Sequence, residues 1–404
     1  MTMHRDSGPQ RHRVTEKPDW LCVSVTLWRV TGTLRRVTAF AIMAGLCLLG
    51  SYVAVGAQQG GPRYKVDADW PKRPLPNKWF MGGVTGLDVD KDDNVWVLNR
   101  PADLDETENY ATLNPPSAEC CVAAPTIIAF NPQGDVIASF SAPQGHGMLV
   151  DREGNVWIGS DRVRKYTRDG KQVGEIGRVP ENQPPAKDAA GVVAFRMKYP
   201  PTNPLIVGGL EEIRADEDRR ELYAIDSYLG GRVLVYDMDS LKFKRGWGAY
   251  GKPLADISTS TAPRQFDVNA PAKDFLGHVT LNVARDGTVY AADRQGNRIQ
   301  VYTREGKFQK EFFLATSTLD RGSAGGIAFS VDPQQRSMFI SDIQNNTIWF
   351  LNRADGKVLG RIGSTGNYAG QFHGLHMIAT DSKGNIYTGE VQAGERVQRF
   401  VPVN

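Results

Sequence analysis

Histidine and cysteine are scarce in this chain. Of its 404 residues six are histidine and four are cysteine. No two cysteines stand in a C-x-x-C spacing, which excludes a thiolate zinc ribbon. Cys22 and Cys47 lie in the first 57 residues, so only the adjacent Cys120 and Cys121 remain downstream. An adjacent pair can close only a strained ring, and the sequence leaves its oxidation state open. Net charge is scarce too. The formal charge is +3, but the first 57 residues carry seven Lys/Arg against three Asp/Glu, which leaves the rest at −1. Such a body lacks the basic footprint of nucleic-acid binding, and no nucleic-acid partner is expected. The chain is nonetheless globular in composition, 41% hydrophobic and 23% charged, and its 42 Gly and 23 Pro imply frequent turns.

The first 57 residues read as an address. Arg35 and Arg36 precede nineteen uncharged residues, 37–55, closed by the small residues Gly56 and Ala57. This order of positive, apolar and small residues is that of a secretory signal, and the arginine pair resembles a twin-arginine signal. The rival is an uncleaved anchor, because nineteen apolar residues nearly span a bilayer. Residues 1–57 are therefore expected to be a signal peptide or membrane-targeting segment. The protein is expected to be periplasmic or secreted, with membrane contact only if the segment is uncleaved.

A repeat organises the chain from residue 64 onward. Six segments share one pattern: GLDVDKDDNVWVLNR, GMLVDREGNVWIGSD, EEIRADEDRRELYAIDS, LNVARDGTVYAADR, IAFSVDPQQRSMFISD and MIATDSKGNIYTGE. Each is a short apolar strand, a polar turn and a strand bearing an aromatic: Trp96, Trp157, Tyr223, Tyr290, Phe339 or Tyr387. Third strands follow (PTIIAF, DRVRKY, GRVLVY, NRIQVY, NTIWFL, ERVQRF), and fourth strands in five of the six units. Four short strands per unit of blade size imply an all-β, six-bladed propeller spanning 58–404 as one domain. The sixth unit lacks its fourth strand. The unassigned segment 64–67 can supply it and close the ring, removing exposed edges. Two β-sandwiches are the alternative, but they would not produce six units in one register. The insertions 101–124, 178–203 and 249–276 lack periodicity and read as long loops over one face, potential lids.

Three of the four histidines beyond residue 57 share a register. His146 lies eleven residues before Trp157, His376 eleven before Tyr387, and His278 twelve before Tyr290. They belong to units two, four and six. First strands line a propeller's channel, so side chains at their mouth-side ends on alternate blades converge. Each histidine alone would read as a separate core side chain, but the shared register points to a metal site. Three neutral imidazoles with an open fourth position suit catalytic zinc, and imidazole also accepts iron, copper or nickel. His373 is out of register and is expected in a loop or behind the site. Residues just past second strands should ring the same mouth: Arg100, Tyr228 and Arg294, with Asp161, Arg162 and Glu390 at the rim. Arg100 and Arg294 offer planar forks for a carboxylate, and Tyr228 near cations offers a base; each also has an ordinary structural reading.

On these residues the chain resembles the peptidyl-α-hydroxyglycine α-amidating lyase family, within the wider NHL-repeat propellers, over roughly residues 80–400. The matching segments are HGMLVDREGNVW, HVTLNVARDGTVY and HMIATDSKGNIY for the metal histidines, VLNRPAD for Arg100, YAIDSYLGGRV for Tyr228 and AADRQGNR for Arg294. The resemblance implies a catalytic Zn2+ (or another divalent transition metal) on His146, His278 and His376. It also implies Tyr228 and Arg100 as catalytic residues and Arg294 as the substrate-binding arginine. Met377 stands where the family has an aspartate tied to a structural Ca2+, which puts calcium in doubt. The implied reaction cleaves the C–N bond of an N-(α-hydroxy) carboxylate, a small molecule or peptide, into an amide and glyoxylate. A metal-dependent periplasmic hydrolase or lactonase, and a non-catalytic propeller binding a peptide or envelope partner, remain open alternatives.

Overall fold

A computed structural model describes residues 61–181, 189–227, 229–259 and 266–403. The expected signal segment and Tyr228 lie outside the described residues. Six four-stranded antiparallel sheets form the blades of a β-propeller. Their first strands are Gly83–Val89, Met148–Val150, Leu210–Asp216, Val279–Val283, Ile327–Phe329 and Leu375–Thr380.

The repeated motif explains each hairpin. In blades one, two and six the first turn holds Asp90, Asp151 or Asp381, whose carboxylate accepts the backbone N–H of Asn94, Asn155 or Asn385 at 2.8–2.9 Å. The same carboxylates accept from the aromatic six residues on: Trp96 Nε1 at 3.0 Å, Trp157 Nε1 at 2.8 Å and the Tyr387 hydroxyl at 3.0 Å. All three aromatics are fully buried, and a buried N–H or O–H needs an acceptor. The aspartate thus fixes the turn and satisfies the core at once. In blade three Tyr223 donates instead to Glu221, and in blade four the Tyr290 hydroxyl accepts from Arg353.

Apolar side chains fill the spaces between neighbouring blades. Trp96 and Leu98 of blade one pack with Met148 and Ile158 of blade two, and Val233 and Trp247 of blade three with Val279 and Leu281 of blade four. The ring closes as the sequence implies. Tyr64–Asp67 pairs antiparallel with the last strand, Val397–Pro402, in register from Tyr64↔Pro402 to Asp67↔Arg399.

First strands start, and second and fourth strands end, on one face of the disc. All three insertions leave from strand ends on that face. The first carries short 3-10 turns and the strand Val122–Ala123, which pairs in parallel with Trp79–Phe80. Cys120 and Cys121, just before it, are joined by a disulfide. The second insertion departs from the expected loop: Ala189–Lys198 is an α-helix, α1. Val192 and Phe195 share one face of α1 and are buried against Val207 and Leu229. Among its described side chains these two are its buried apolar anchors, too few to register as periodicity, and Arg196 adds hydrogen bonds to Leu229 O and Ser258 O.

Candidate metal centre

Inter-blade hydrogen bonds tie the first strands into a hub, and several run through candidate site residues. Thr85 Oγ1 donates to Gly145 O at 2.8 Å, and Gly147 N to Thr85 O at 2.8 Å. Thr280 Oγ1 donates to Gly325 O at 2.7 Å, and Ser341 Oγ to His376 O at 2.6 Å.

Five of the six blades aim one residue each at the channel mouth, by two devices. In blades one, three and six the pairing of the first two strands slips by one residue, so Thr85, Glu211 and His376 have no partner across the hairpin. A β-bulge of this kind re-aims its extra side chain. In blades two and four the residue precedes the first strand. His146 N bonds Gly159 O at 2.7 Å, and His278 O accepts from Arg294 N at 3.0 Å. Gly145 and Gly147 let His146 tuck in. A Cβ on Gly145 would stand 2.2 Å from Gly159 O, and one on Gly147 2.6 Å from Glu212 Cα. Blade five brings Gly325 to this level and lines the cavity with Ile343 instead of a ligating side chain.

The three predicted histidines come together. Ring centres are 4.8 Å apart for His146–His376, 6.0 Å for His146–His278 and 6.4 Å for His278–His376. Glu211 joins them: among the described residues, His146, Glu211 and His278 offer ligand atoms all within 4.8 Å of one another, a group that does not include His376. Glu211 Oε2 lies 3.1 Å from His146 Nε2 and 2.5 Å from His278 Nδ1. The sequence reading missed this glutamate, although the counting rule reaches it: Glu211 lies twelve residues before Tyr223, as His278 does before Tyr290.

The imidazoles are held neutral. Burial pushes His146 down to about 4, a fall that Glu211 partly opposes and that His278 and Arg100 deepen. Burial likewise lowers His278, with Arg294 and Arg100 adding to the fall. His376 is well below the ordinary imidazole value, through burial first and then His146, Arg294, His278 and Arg100. Neutral imidazole is the form that ligates a metal. His376 Nδ1 is buried without a hydrogen-bond partner, a cost of about 1–3 kcal/mol that a bound cation would offset.

The cluster floors a cavity of about 740 Å³ whose wall includes Arg100, Arg294, Arg321, Gln144 and Gln392. Arg100 lies 3.9 Å from Asp103, and Arg294 Nε donates to Arg321 O at 2.9 Å. The expected rim residues Asp161, Arg162 and Glu390 go elsewhere. Arg162 binds Asp161, Glu175 and Glu181 on the blade surface. Glu390 is buried and accepts from His373 N, Gln398 and Arg396. Each finds a charged or polar neighbour within its own blade, which a count along the chain does not reveal. His373 is exposed and stands apart from the cluster, as its register implied.

No family model matches the chain. It is similar to peptidyl-glycine alpha-amidating monooxygenases A and B of Xenopus laevis, 23% and 22% identical over 349 residues, which is 83% of this chain. The chain spans about a third of the length of these relatives, 33% and 35%. A solved structure of a Bacteroides thetaiotaomicron protein of unknown function is similar in fold. Its TM-score is 0.50 at 12% identity, over 85% of this chain and 73% of that one.

Proposed function

We propose that the protein is an exported, metal-dependent lyase. Its substrate is an N-(α-hydroxy) carboxylate resembling peptidyl-α-hydroxyglycine, and its products are an amide and glyoxylate. One observation carries the reading: three neutral histidines from alternate blades, His146 and His376 buried and His278 partly exposed, converge in a cavity whose wall includes Arg100 and Arg294.

His146, His278 and His376 would hold the metal, Zn2+ or another divalent transition metal; the buried, unpartnered His376 Nδ1 and the uncharged donors fit one. The bound metal would supply Lewis acidity, lowering the pKa of the substrate hydroxyl. Arg294 binds the substrate carboxylate through its guanidinium fork. Arg100, across the cavity, favours the anionic form of Tyr228, which takes the hydroxyl proton. The electron pair left on the hydroxyl oxygen then forms the aldehyde carbonyl of glyoxylate as the C–N bond breaks with its pair on nitrogen, which takes back the proton held by Tyr228 and leaves as the amide. The carboxylate substrate is the partner, small molecule or peptide, and the charged-then-apolar leader sends the protein to the periplasm or outside the cell.

The test is metal analysis of the purified protein, followed by glyoxylate release from an N-acyl-α-hydroxyglycine. His278→Ala should lose both metal and turnover, whereas Tyr228→Phe should lose turnover and keep metal. A full metal equivalent with normal turnover in His278→Ala overturns the assignment. Release of a carboxylate carrying one solvent oxygen, in place of the amide and glyoxylate, would make the protein a hydrolase instead.

A further inference from the structure

Glu211 belongs to no part of the site derived from the sequence, yet its carboxylate sits between two of the histidines. The hydrogen bonding explains what it is for. His146 Nδ1 lies 2.6 Å from the backbone carbonyl of Glu211. A carbonyl oxygen can only accept, so Nδ1 carries the ring proton and Nε2 presents a lone pair. That lone pair faces Glu211 Oε2 at 3.1 Å, and an ionised carboxylate is also only an acceptor. Two lone pairs held face to face repel, unless a cation lies between them. His278 Nδ1 stands 2.5 Å from the same oxygen, within hydrogen-bond distance, so one carboxylate atom serves two imidazoles, as a hydrogen-bond partner of His278 and as the atom facing the His146 lone pair. Glu211 owes this position to the bulge in its strand, and the same residue's carbonyl fixes the His146 tautomer. One residue thus orients a histidine and aims its own oxygen at the same centre.

We infer that Glu211 is a ligand of the metal beside the three histidines, making a three-histidine, one-carboxylate centre for a divalent cation that accepts more than four ligands, manganese or iron rather than zinc. The inference rests on the lyase reading for the number of ligands. Four protein donors fill a tetrahedral zinc ion and leave no position for substrate. An ion that takes further ligands keeps one open, and a carboxylate among imidazoles suits Mn2+ or Fe2+.

The experiment uses the full-length protein, stripped of metal and titrated with Mn2+ and Co2+. Mn2+ binding is followed by loss of the free-ion EPR signal, and Co2+ by its visible spectrum. One Mn2+ should bind per chain, and the Co2+ form should show the weak bands of a five- or six-coordinate ion. Glu211→Gln should weaken Mn2+ binding by at least about tenfold, and Glu211→Asp should lose less; outer-shell changes alone cost 10–100-fold. Thermal melting of the metal-free variants separates this loss from misfolding. Intense four-coordinate Co2+ bands in the unaltered protein overturn the inference even if no variant folds. So does a folded Glu211→Gln with unchanged Mn2+ affinity. Either result leaves the lyase reading standing on three histidines. That reading falls separately, if the metal-loaded protein releases no glyoxylate.

Discussion

Gly147→Ala tests whether the close approach of blades two and three sets the donor geometry. Gly147 has φ +76°, a conformation that costs an alanine about 1–2 kcal/mol. Its added Cβ would stand 2.6 Å from Glu212 Cα and 3.0 Å from Ile213 N, both backbone atoms. Ordinary carbon–carbon contact begins at about 3.5 Å, so the two first strands must part by roughly 1 Å. Overpacking of this kind costs about 1–3 kcal/mol more. The same movement opens the 3.1 Å gap between His146 Nε2 and Glu211 Oε2, where donor positions tolerate only about 0.2 Å. The variant should lose about 2–5 kcal/mol in urea denaturation and bind metal at least about tenfold more weakly in competition with a chelator. Gly154→Ala is the control. Its φ is +86°, but the nearest atom to the added Cβ is the flexible Arg168 Cδ at 3.2 Å, in the turn at the opposite end of the blade. It should lose only the conformational part and keep its metal. If Gly147→Ala costs no more than Gly154→Ala and retains full metal affinity, the interblade contact does not set the site.

Three further outcomes follow from the same structure. Trp157→Phe removes the proton that Trp157 Nε1 gives to the buried Asp151, so it should cost about 1–3 kcal/mol by urea denaturation; a change under about 0.3 kcal/mol would refute the role given to the motif. In the metal-free protein His146 stays neutral down to about pH 4, against 6.5 when unfolded, so stability is present above 6.5 and is lost as pH falls towards 4. Between pH 7 and 5 the loss should be about 2 kcal/mol smaller in His146→Gln, and an equal loss would contradict the burial argument. Deleting residues 61–67 removes Tyr64 from its contacts with Phe339 and Phe350 and leaves Val397–Pro402 as an open edge. It should cost about 3 kcal/mol and promote association in light scattering; a monomer of unchanged melting temperature would mean that the strand is dispensable.

Much of this molecule is local, and local physics is readable. A turn aspartate six residues before a buried aromatic is a self-contained unit, so Asp151 with Trp157 can be recognised in every blade that uses it. Blade closure was readable because the last unit visibly lacks a strand and residues 64–67 have no other assignment. The histidine register was readable because propeller symmetry converts equal spacing along the chain into convergence in space. The helix Ala189–Lys198 was not, since what holds it, Val192 and Phe195 against Val207 and Leu229 and Arg196 on the carbonyls of Leu229 and Ser258, lies outside its own segment.

The sequence by itself determined the number of blades, their order and three of the residues at the channel mouth, because each depends on contacts within one repeat or on the symmetry between repeats. Only the tertiary structure decided that Arg162 and Glu390 do not join them, and that a bulge turns Glu211, which the same count reaches, into the cluster. A bulge is a slip between two paired strands, and an ion pair belongs to whichever neighbour folding brings close. Neither is written in the spacing of a single segment.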